Sequence, residues 1–294
     1  MSKLIPCLLG LSVALSGISL ATAQQSDHPK VLQITREFTK PYKGGALHDK
    51  TEGVFVQAMA AAKWPTHYLA LNSLSGKSRS LYLTPYDTFD AWEKDYAAIS
   101  KNPTLSAALE RASQADGELL ESVDQAVFYF DDELSYKPSS DIGHARYIEA
   151  TVFHIHPGHG KDWSDLAKLA IETHKKAGTS AHWSMWDLAY GGDGDAYLML
   201  SSDKNMAEID TGFGEGKAFN DALGEEGRKK FHELAAAAIA SSDSELLAIN
   251  PRQSYAKEEW IQADPDFWKP KKMAPPAAKP ATKPAAPADM KPKP

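Results

Sequence analysis

The sequence predicts an α+β protein built from two tandem copies of one β-α-β-β-α-β unit. Three observations support this fold class. Short motifs recur at a fixed distance along the chain, apolar and polar residues alternate in several segments of strand length, and amphipathic helical segments follow these strands in the same order twice. A chain of 294 residues is long enough for two such units.

Four short motifs of the first half recur in the second half, at or near an offset of 115 residues. The pairs are His67-Tyr68-Leu69 with His182-Trp183-Ser184, Tyr82-Leu83 with Tyr197-Leu198, Pro41-x-x-Gly44 with Pro157-x-x-Gly160, and Ser135-Tyr136 with Ser254-Tyr255. A register that is kept over about 100 residues indicates two copies of one structural unit.

The first copy is predicted to contain, in order, a strand at 31–38, a helix at 46–62, strands at 67–73 and 80–84, further helices, and a strand at 125–131. Its third helix begins after Asn102, a residue type that caps helices. Pro103 follows at the first helical position.

The second copy repeats this order, with a strand at 146–156, a turn at 157–160, a helix at 162–177, strands at 182–189 and 195–201, a helical stretch at 217–240 and a strand at 245–249. Trp163, Leu166, Ala170 and Ala177 lie on one stripe of its first helix. Gly191-Gly192-Asp193-Gly194 is predicted to form a hairpin between its middle strands.

The order β-α-β-β-α-β is the ferredoxin-like arrangement, in which helices cover one face of the sheet. The other face must also be covered, and a second copy supplies the cover. We therefore expect two tandem ferredoxin-like units that pack sheet to sheet as an intrachain α/β barrel. If the copies splay apart instead, each must find a copy on another chain, so both a monomer and a homodimer are open. The predicted units are 30–136 and 145–255, with a linker at 137–144 and a C-terminal extension at 256–268.

Both ends of the chain differ from its body. Residues 1–23 fit a signal peptide, because Lys3 precedes an apolar stretch that ends at Ala21-Thr22-Ala23. This predicts a periplasmic or secreted protein with no stable membrane insertion after cleavage. Residues 269–294 are nearly all Lys, Pro and Ala, a composition typical of disordered tails. The tail is either a solvated spacer or a contact for anionic envelope polymers.

Charge and cysteine content exclude some function classes. The tail carries a net charge of +6, and removing the tail and Lys3 from the chain's −7 leaves −14 on residues 24–268. An acidic body argues against a nucleic-acid partner. The single cysteine, Cys7, lies in the predicted signal peptide, so the mature protein has no disulfide and no cysteine nucleophile. The sequence also contains no P-loop, no dinucleotide fingerprint and no His-Glu-x-x-His, and its catalytic residues are not identified.

Each predicted unit has about 110 residues and the element order given above. A Pro-x-x-Gly turn follows its first strand, and an aromatic residue lies near the start of its first helix. Together these features resemble the dimeric α/β-barrel superfamily. The stretch from Phe153 through His159 to Trp163 is similar to the opening of the monooxygenase-like branches. The resemblance covers 30–136 and 145–255. It implies a ligand pocket between the sheets. Relatives include cofactor-free monooxygenases, haem-handling enzymes and proteins that only bind ligands or assemble, so the resemblance fixes little about function.

Strand alternation sorts the side chains into two faces. Leu32, Ile148 and Leu198 belong to apolar faces, which we expect to pack against the helices. The opposite faces are expected to line the space between the sheets. The pocket candidates are His67, Tyr82, Glu149, Thr151, His182, Trp186 and Tyr197. A mixture of polar and aromatic residues is typical of a ligand cavity and equally of a hydrogen-bonded core between sheets. His67 and His182 could likewise serve as bases or as strand-end hydrogen-bonding groups.

Further histidines are candidates for two cofactor sites, one for a metal and one for haem. His154, His156 and His159 have a spacing that could bring three metal ligands together, but solvated or hydrogen-bonded side chains are the favoured interpretation. His174 lies on the apolar stripe of its helix. A hydrogen-bonded core histidine is favoured there, although haem-binding relatives use a helical histidine. We therefore expect no metal and no cofactor.

Three functions remain open. The first is an exported small-ligand-binding or assembly module. The second is a cofactor-free or haem-associated monooxygenase-like oxidoreductase for a small aromatic molecule, in which His182 or Glu149 takes a proton and Tyr82, Tyr197 and Trp186 shape the pocket. The third is a metal-dependent enzyme that uses the histidines from His154 to His159.

Overall fold

The computed structural model describes residues 28–269 and contains the two expected units. The first comprises β1 (Val31–Thr39), α1 (Ala46–Ala62), β2 (Leu69–Ser73), β3 (Arg79–Tyr86), α2 (Phe89–Ser100), α3 (Pro103–Gly117) and β4 (Leu120–Tyr136). The second comprises β5 (Tyr147–Ile155), α4 (Gly160–Ala177), β6 (Trp183–Tyr190), β7 (Ala196–Asp203), α5 (Met206–Gly214), α6 (Gly216–Ala238) and β8 (Ile239–Ile249). The short helices α7 (Glu258–Ala263) and α8 (Pro265–Trp268) follow.

The strands form one closed antiparallel barrel in the order β1-β3-β2-β8-β5-β7-β6-β4. Each copy contributes four neighbouring strands. The two sheets are joined at both edges, by the pairing of β2 with β8 and of β4 with β6. Since closure pairs the edges of both sheets, neither copy presents a free strand edge in this part of the chain. The predicted fold class is confirmed, and the barrel closes within one chain.

Strand register defines which positions of the two copies are equivalent. Thr39 pairs with Leu120 after a register shift in β1, and Ile155 pairs with Ile239 after the same shift in β5. Equivalent positions are therefore 116 residues apart in β1 and β5, and 119 apart in β4 and β8. The helices α1 and α4 end at the left-handed residues Lys63 and Gly178, which gives these helices an offset of 115.

The barrel interior is apolar and is shared by both copies. The side chains packed together there include Leu32, Leu71, Phe128, Ile148, Trp186 and Leu198. The prediction that this face packs against the helices is wrong. Strands surround the inside of a closed barrel on every side, so large aliphatic and aromatic side chains fill it and exclude water. The opposite face, with Tyr82, Glu149, Thr151 and Tyr197, is the one that meets the helices.

The predicted C-terminal extension covers one end of the barrel. Trp260 in α7 and Trp268 in α8 are buried against the barrel interior. The indole N–H of Trp268 donates to the carbonyl oxygen of Gly143 at 2.9 Å. The guanidinium of Arg146 lies 3.8 Å from the ring centroid of Phe267 and pairs with Asp264. These contacts attach the extension to the start of the second copy.

Gly191, in the hairpin between β6 and β7, has a φ of 85°, and a Cβ there would clash with the backbone carbonyl oxygen of Gln125. We expect Gly191→Ala to lower the free energy of unfolding by more than about 2 kcal/mol, because it adds a backbone clash to an unfavourable φ. Gly194→Ala is the control, since Gly194 also has a positive φ but no atom within 4 Å of the added Cβ. The control should cost about 1 kcal/mol. Equal losses in urea unfolding would contradict the clash.

Across residues 28–269, none of the helices combines the length and the apolar character needed to cross a bilayer. The predicted signal peptide at 1–23 and the predicted tail from residue 270 onward lie outside the described residues. Localisation therefore stays a prediction.

Candidate functional site

A cavity of about 360 Å³ lies between the sheet of the second copy and the helices α4 and α6. We call it the helix-side cavity. Its apolar wall is formed by Phe153, Trp163, Leu166, Met185, Met199 and Phe231. The strand residues belong to the outer face of the barrel, and the helix residues belong to the apolar stripes of α4 and α6. A mainly apolar cleft with a few polar groups is the usual form of a small-molecule site.

Trp163 forms the centre of the apolar wall. Its ring centroid lies 4.9 Å from that of Phe153 and 5.0 Å from that of Tyr197. The Nε1 atom of Trp163 is buried and has no hydrogen-bond partner among the described residues.

One end of the helix-side cavity is acidic. Glu149, Asp203 and Glu208 line it, and no Lys or Arg is among the residues that line the cavity in the described chain. Burial, and then the charge of Glu149, raise the pKa of Asp203 to about 6, although His182 opposes the shift. Its Oδ2 atom is buried without a hydrogen-bond partner in residues 28–269. This end favours a cationic or hydrogen-bond-donating ligand and disfavours an anion.

His174 is the histidine of α4 that lines the cavity. Burial lowers its pKa, with an opposing effect from Glu215 and a further lowering from Lys137. The imidazole is therefore neutral at neutral pH. Its Nδ1 atom lies 2.7 Å from Thr179 Oγ1, and no described residue bonds its Nε2 atom. A neutral imidazole with one nitrogen held in place can accept a proton at the other nitrogen.

Two of the residues predicted from the sequence, Glu149 and His182, line this cavity, and Tyr197 lies behind Trp163. Each ring nitrogen of His182 faces a backbone carbonyl oxygen, with Nδ1 3.2 Å from Ser180 and Nε2 2.9 Å from Ser202. Neither nitrogen directs a lone pair toward the cavity. The geometry of His182 therefore favours strand-end hydrogen bonding over the action of a base.

The other four candidates lie elsewhere. His67 stacks on Tyr255 at 4.4 Å, and Thr151 Oγ1 lies 2.8 Å from Ser244 Oγ. Trp186 belongs to the barrel interior, and the Tyr82 side chain interacts with Glu52 on α1 of the first copy. The pocket in which His182 and Trp186 join Glu149 and Tyr197 is not formed, because Trp186 points into the barrel interior, on the opposite face of the sheet from Glu149 and Tyr197. The ligand-binding role of the individual candidates stays a prediction.

The three histidines from His154 to His159 do not present converging ligand atoms in the described chain. The Nδ1 atom of His159 lies instead 2.8 Å from Asp162 in the first turn of α4. Sequence reasoning missed a different group, namely Glu37, His48, Glu52 and Asp116, which meet between the sheet and the helices of the first copy. The signal that could have found it is the spacing of His48 and Glu52, which places both side chains on one face of α1.

Comparison with known proteins identifies the fold. No protein-family model matches the sequence, and no curated protein is similar to it. A candidate monooxygenase from Fusobacterium nucleatum superposes with a TM-score of 0.51 at 12% identity, over 76% of this chain and 93% of that chain. A candidate monooxygenase from Lactobacillus acidophilus superposes with a TM-score of 0.47 at 8% identity, over 75% of this chain and 94% of that chain. An anthrone oxidase-like protein superposes with a TM-score of 0.49 at 14% identity, over 76% of this chain and 92% of that chain. The chain has the dimeric α/β-barrel fold. At these identities the likeness shows the fold and not the activity.

Haem is the cofactor to test, because the resemblance noted in the sequence implies relatives that handle haem. His174 offers an imidazole nitrogen, but haem also carries two anionic propionate groups that need cationic or hydrogen-bond-donating partners. The helix-side cavity presents Glu149, Asp203 and Glu208 and no lining Lys or Arg within the described chain. These residues do not fit haem.

Proposed function

We propose that this dimeric α/β barrel binds a small, mainly apolar or aromatic molecule in the helix-side cavity of the second copy. The observation that carries the proposal is the aromatic-walled cavity of about 360 Å³ between α4, α6 and the sheet. The acidic end at Glu149 and Asp203 supplies polar groups that orient a ligand.

Three naphthalene probes of different charge test this proposal. We expect 1-naphthylmethylamine and 2-naphthol to bind and 1-naphthoate to bind at least about tenfold more weakly, because the acidic end repels a carboxylate. Quenching of tryptophan fluorescence and a rise in melting temperature measure the binding. Equal binding of all three probes, or binding of none, would refute the proposal.

A matched pair of variants locates the probes. Ala235 lines the cavity, whereas its neighbour Ala236 is exposed on the same helix. Ala235→Phe should fill the cavity and weaken probe binding by at least about tenfold, because the added ring occupies the ligand's volume. Ala236→Phe should leave the affinity unchanged. If both variants bind as the native chain does, the probes bind elsewhere.

The acidic end makes cation binding dependent on pH. Since the pKa of Asp203 is about 6, the carboxyl group is mostly protonated at pH 5 and mostly ionised at pH 7. The affinity for 1-naphthylmethylamine should therefore rise by up to about tenfold between these pH values. Asp203→Asn should remove the dependence, and 2-naphthol, which stays neutral, should show none. Isothermal titration at pH 5, 6 and 7 measures the effect, and an unchanged slope in the variant would contradict it.

Oxidation of the bound molecule without a cofactor is a second candidate function, and the neutral His174 favours it. Anthrone is a suitable probe, because its acidic CH₂ group can lose a proton to His174 Nε2. The resulting anion reacts with O₂ to give anthraquinone and water. We expect His174→Gln to lower O₂ uptake by about 100-fold or more while 2-naphthol still binds. Uptake no faster than in buffer would exclude this function and leave the binding function intact.

We propose export as well, supported by the composition of residues 1–23. Cell fractionation and N-terminal sequencing test it, and a mature protein that begins at Gln24 is expected. Native mass spectrometry of the mature chain distinguishes a monomer from a homodimer.

A further inference from the structure

Four ionisable side chains are buried together in the first copy, outside the helix-side cavity. Glu37 lies on β1, His48 and Glu52 on α1, and Asp116 near the end of α3. One potential ligand atom from each lies within 4.8 Å of the others. His48, Glu52 and Asp116 are only 1%, 4% and 2% exposed. Buried charges of this kind require pairing or a metal ion.

The distances within this cluster match those around a bound metal ion. The Nε2 atom of His48 lies 3.1 Å from Glu37 Oε2 and 3.3 Å from Asp116 Oδ1. Ligand atoms at about 2.0–2.2 Å from one ion are separated from their neighbours by about 3.0–3.6 Å. These three atoms could therefore share an ion with little movement.

Ser80 fixes the imidazole in the form that a metal requires. Its hydroxyl group donates to Asn72 Oδ1 at 2.9 Å and lies 3.3 Å from His48 Nδ1. The hydroxyl oxygen is thus placed to accept a hydrogen bond from Nδ1–H. With the proton on Nδ1, the lone pair of Nε2 points toward the carboxylates, as in metal sites where an outer partner orients the ligand.

Two oxygens of the cluster have no partner. Glu52 Oε1 and Asp116 Oδ2 are buried and accept no hydrogen bond from the described residues. Three carboxyl groups meet a single imidazole, and no Lys or Arg in residues 28–269 forms an ion pair with them. A divalent cation would supply the missing charge and occupy the free oxygens.

We propose that Glu37, His48, Glu52 and Asp116 bind one divalent first-row transition-metal ion, of the Mn²⁺, Fe²⁺ or Zn²⁺ class. An imidazole among carboxylates favours these ions over Mg²⁺ and Ca²⁺, which prefer oxygen ligands alone. Four protein ligands in a buried position form a closed set, which is typical of a structural site. The ion would connect β1, α1 and α3.

The second copy lacks this site. By strand and helix equivalence, Glu37 corresponds to Phe153, His48 to Trp163 and Glu52 to Ala167. All three replacements line the helix-side cavity. The same position between sheet and helices is therefore polar and filled in one copy, and apolar and open in the other. One ion per chain, rather than two, follows from this difference.

Metal binding is tested on the untagged mature chain, residues 24–294, after treatment with EDTA and dialysis. Titration with MnCl₂, ZnCl₂, MgCl₂ and CaCl₂ should show one equivalent of Mn²⁺ or Zn²⁺ bound and a rise in melting temperature of about 5 °C or more. Mg²⁺ and Ca²⁺ should bind at least about 100-fold more weakly. The proposal fails if no metal binds at 1:1, or if Mg²⁺ or Ca²⁺ binds as tightly as Mn²⁺ and Zn²⁺ do.

Variants assign the ligands. Glu52→Gln and Asp116→Asn should each weaken metal binding by at least about tenfold, because each removes an anionic ligand. Both retain the shape of the side chain, so the metal-free variants should still fold. Asp203→Asn is the control, since it replaces a buried acid of the second copy and should leave the metal affinity unchanged. Stoichiometric binding that survives the double variant Glu52→Gln/Asp116→Asn would place the ion elsewhere and overturn the assignment.

Discussion

His48→Ala is expected to lower the free energy of unfolding by about 3–5 kcal/mol at pH 7 in EDTA, because removing the one cationic partner of a buried cluster leaves its carboxylates unpaired. Burial acts to lower the pKa of His48, but hydrogen bonds to Asp116 and Glu37 raise it to about 10. The imidazole is therefore charged at pH 7 in the metal-free chain. Chemical denaturation followed by circular dichroism measures the loss. His232→Ala, at an exposed position of α6, is the control and should change stability by less than about 0.5 kcal/mol.

The effect of His48→Ala should depend on pH. The folded-state pKa of about 10 lies above the ordinary value of 6.5, so the stabilisation by His48 is fully present below pH 6.5 and is lost as the pH rises through 10. The difference between variant and native chain should therefore shrink between pH 7 and pH 10. Burial, with the charges of Glu37 and Asp116, also raises the pKa of Glu52 to about 8 from 4.5. Both groups make the metal-free chain less stable at high pH. A difference that grows with pH would contradict this account.

Trp186→Ala is expected to cost about 3–5 kcal/mol of stability, the usual loss for a tryptophan removed from a packed core. Trp186 is 5% exposed and belongs to the barrel interior, where its ring meets Phe130 edge to face at a centroid distance of 5.1 Å. It lies on the opposite side of the sheet from the helix-side cavity. Binding of 2-naphthol by the folded variant should therefore remain unchanged.

Trp163→Ala provides the matched comparison, because Trp163 is 3% exposed but lines the helix-side cavity. This variant should also lose stability, and it should bind 2-naphthol at least about tenfold more weakly, since the ligand loses its principal aromatic contact. Urea unfolding and fluorescence titration measure the two properties for each variant. If Trp186→Ala abolishes binding as well, the ligand enters the barrel interior and the site has been placed on the wrong face.

The repeat and the strand alternation were sufficient to predict the fold class. The repeat indicates that one structural unit occurs twice, and the alternation of apolar and polar residues indicates which segments are strands. They could not predict which face of each sheet lies inside the barrel. Alternation separates Leu32 from Gln33 but does not say which of two covered faces meets the helices. The predicted strand at 245–249 was also too short. Residues 241–244 are small and polar, yet they extend β8 because they pair with β5, as Ser242 does with Phe153.

The candidate site was predicted only in part, for a related reason. Strand alternation named Glu149 and His182 as pocket candidates, and both line the cavity, whereas the sequence interpretation of His174 was a hydrogen-bonded core position. The predicted grouping with Trp186 is not formed, since Trp186 points into the barrel interior while Glu149 and Tyr197 face the helices. The cluster of Glu37, His48, Glu52 and Asp116 was missed because Glu37 and Asp116 are distant in sequence. In addition, no counterpart in the second copy repeats the pattern of His48 and Glu52.

Closure of the barrel within one chain has a consequence for how such a protein can change. When two identical chains build the barrel, every substitution appears twice, so both compartments between sheet and helix must accept it. Here each compartment has its own stretch of sequence, from Glu37 to Asp116 and from Glu149 to Ile239. A mutation that alters the preferred occupant of one compartment leaves the chemistry of the other unaltered. Covalent fusion thus frees a twofold-symmetric scaffold to carry two unlike sites, each open to selection by itself.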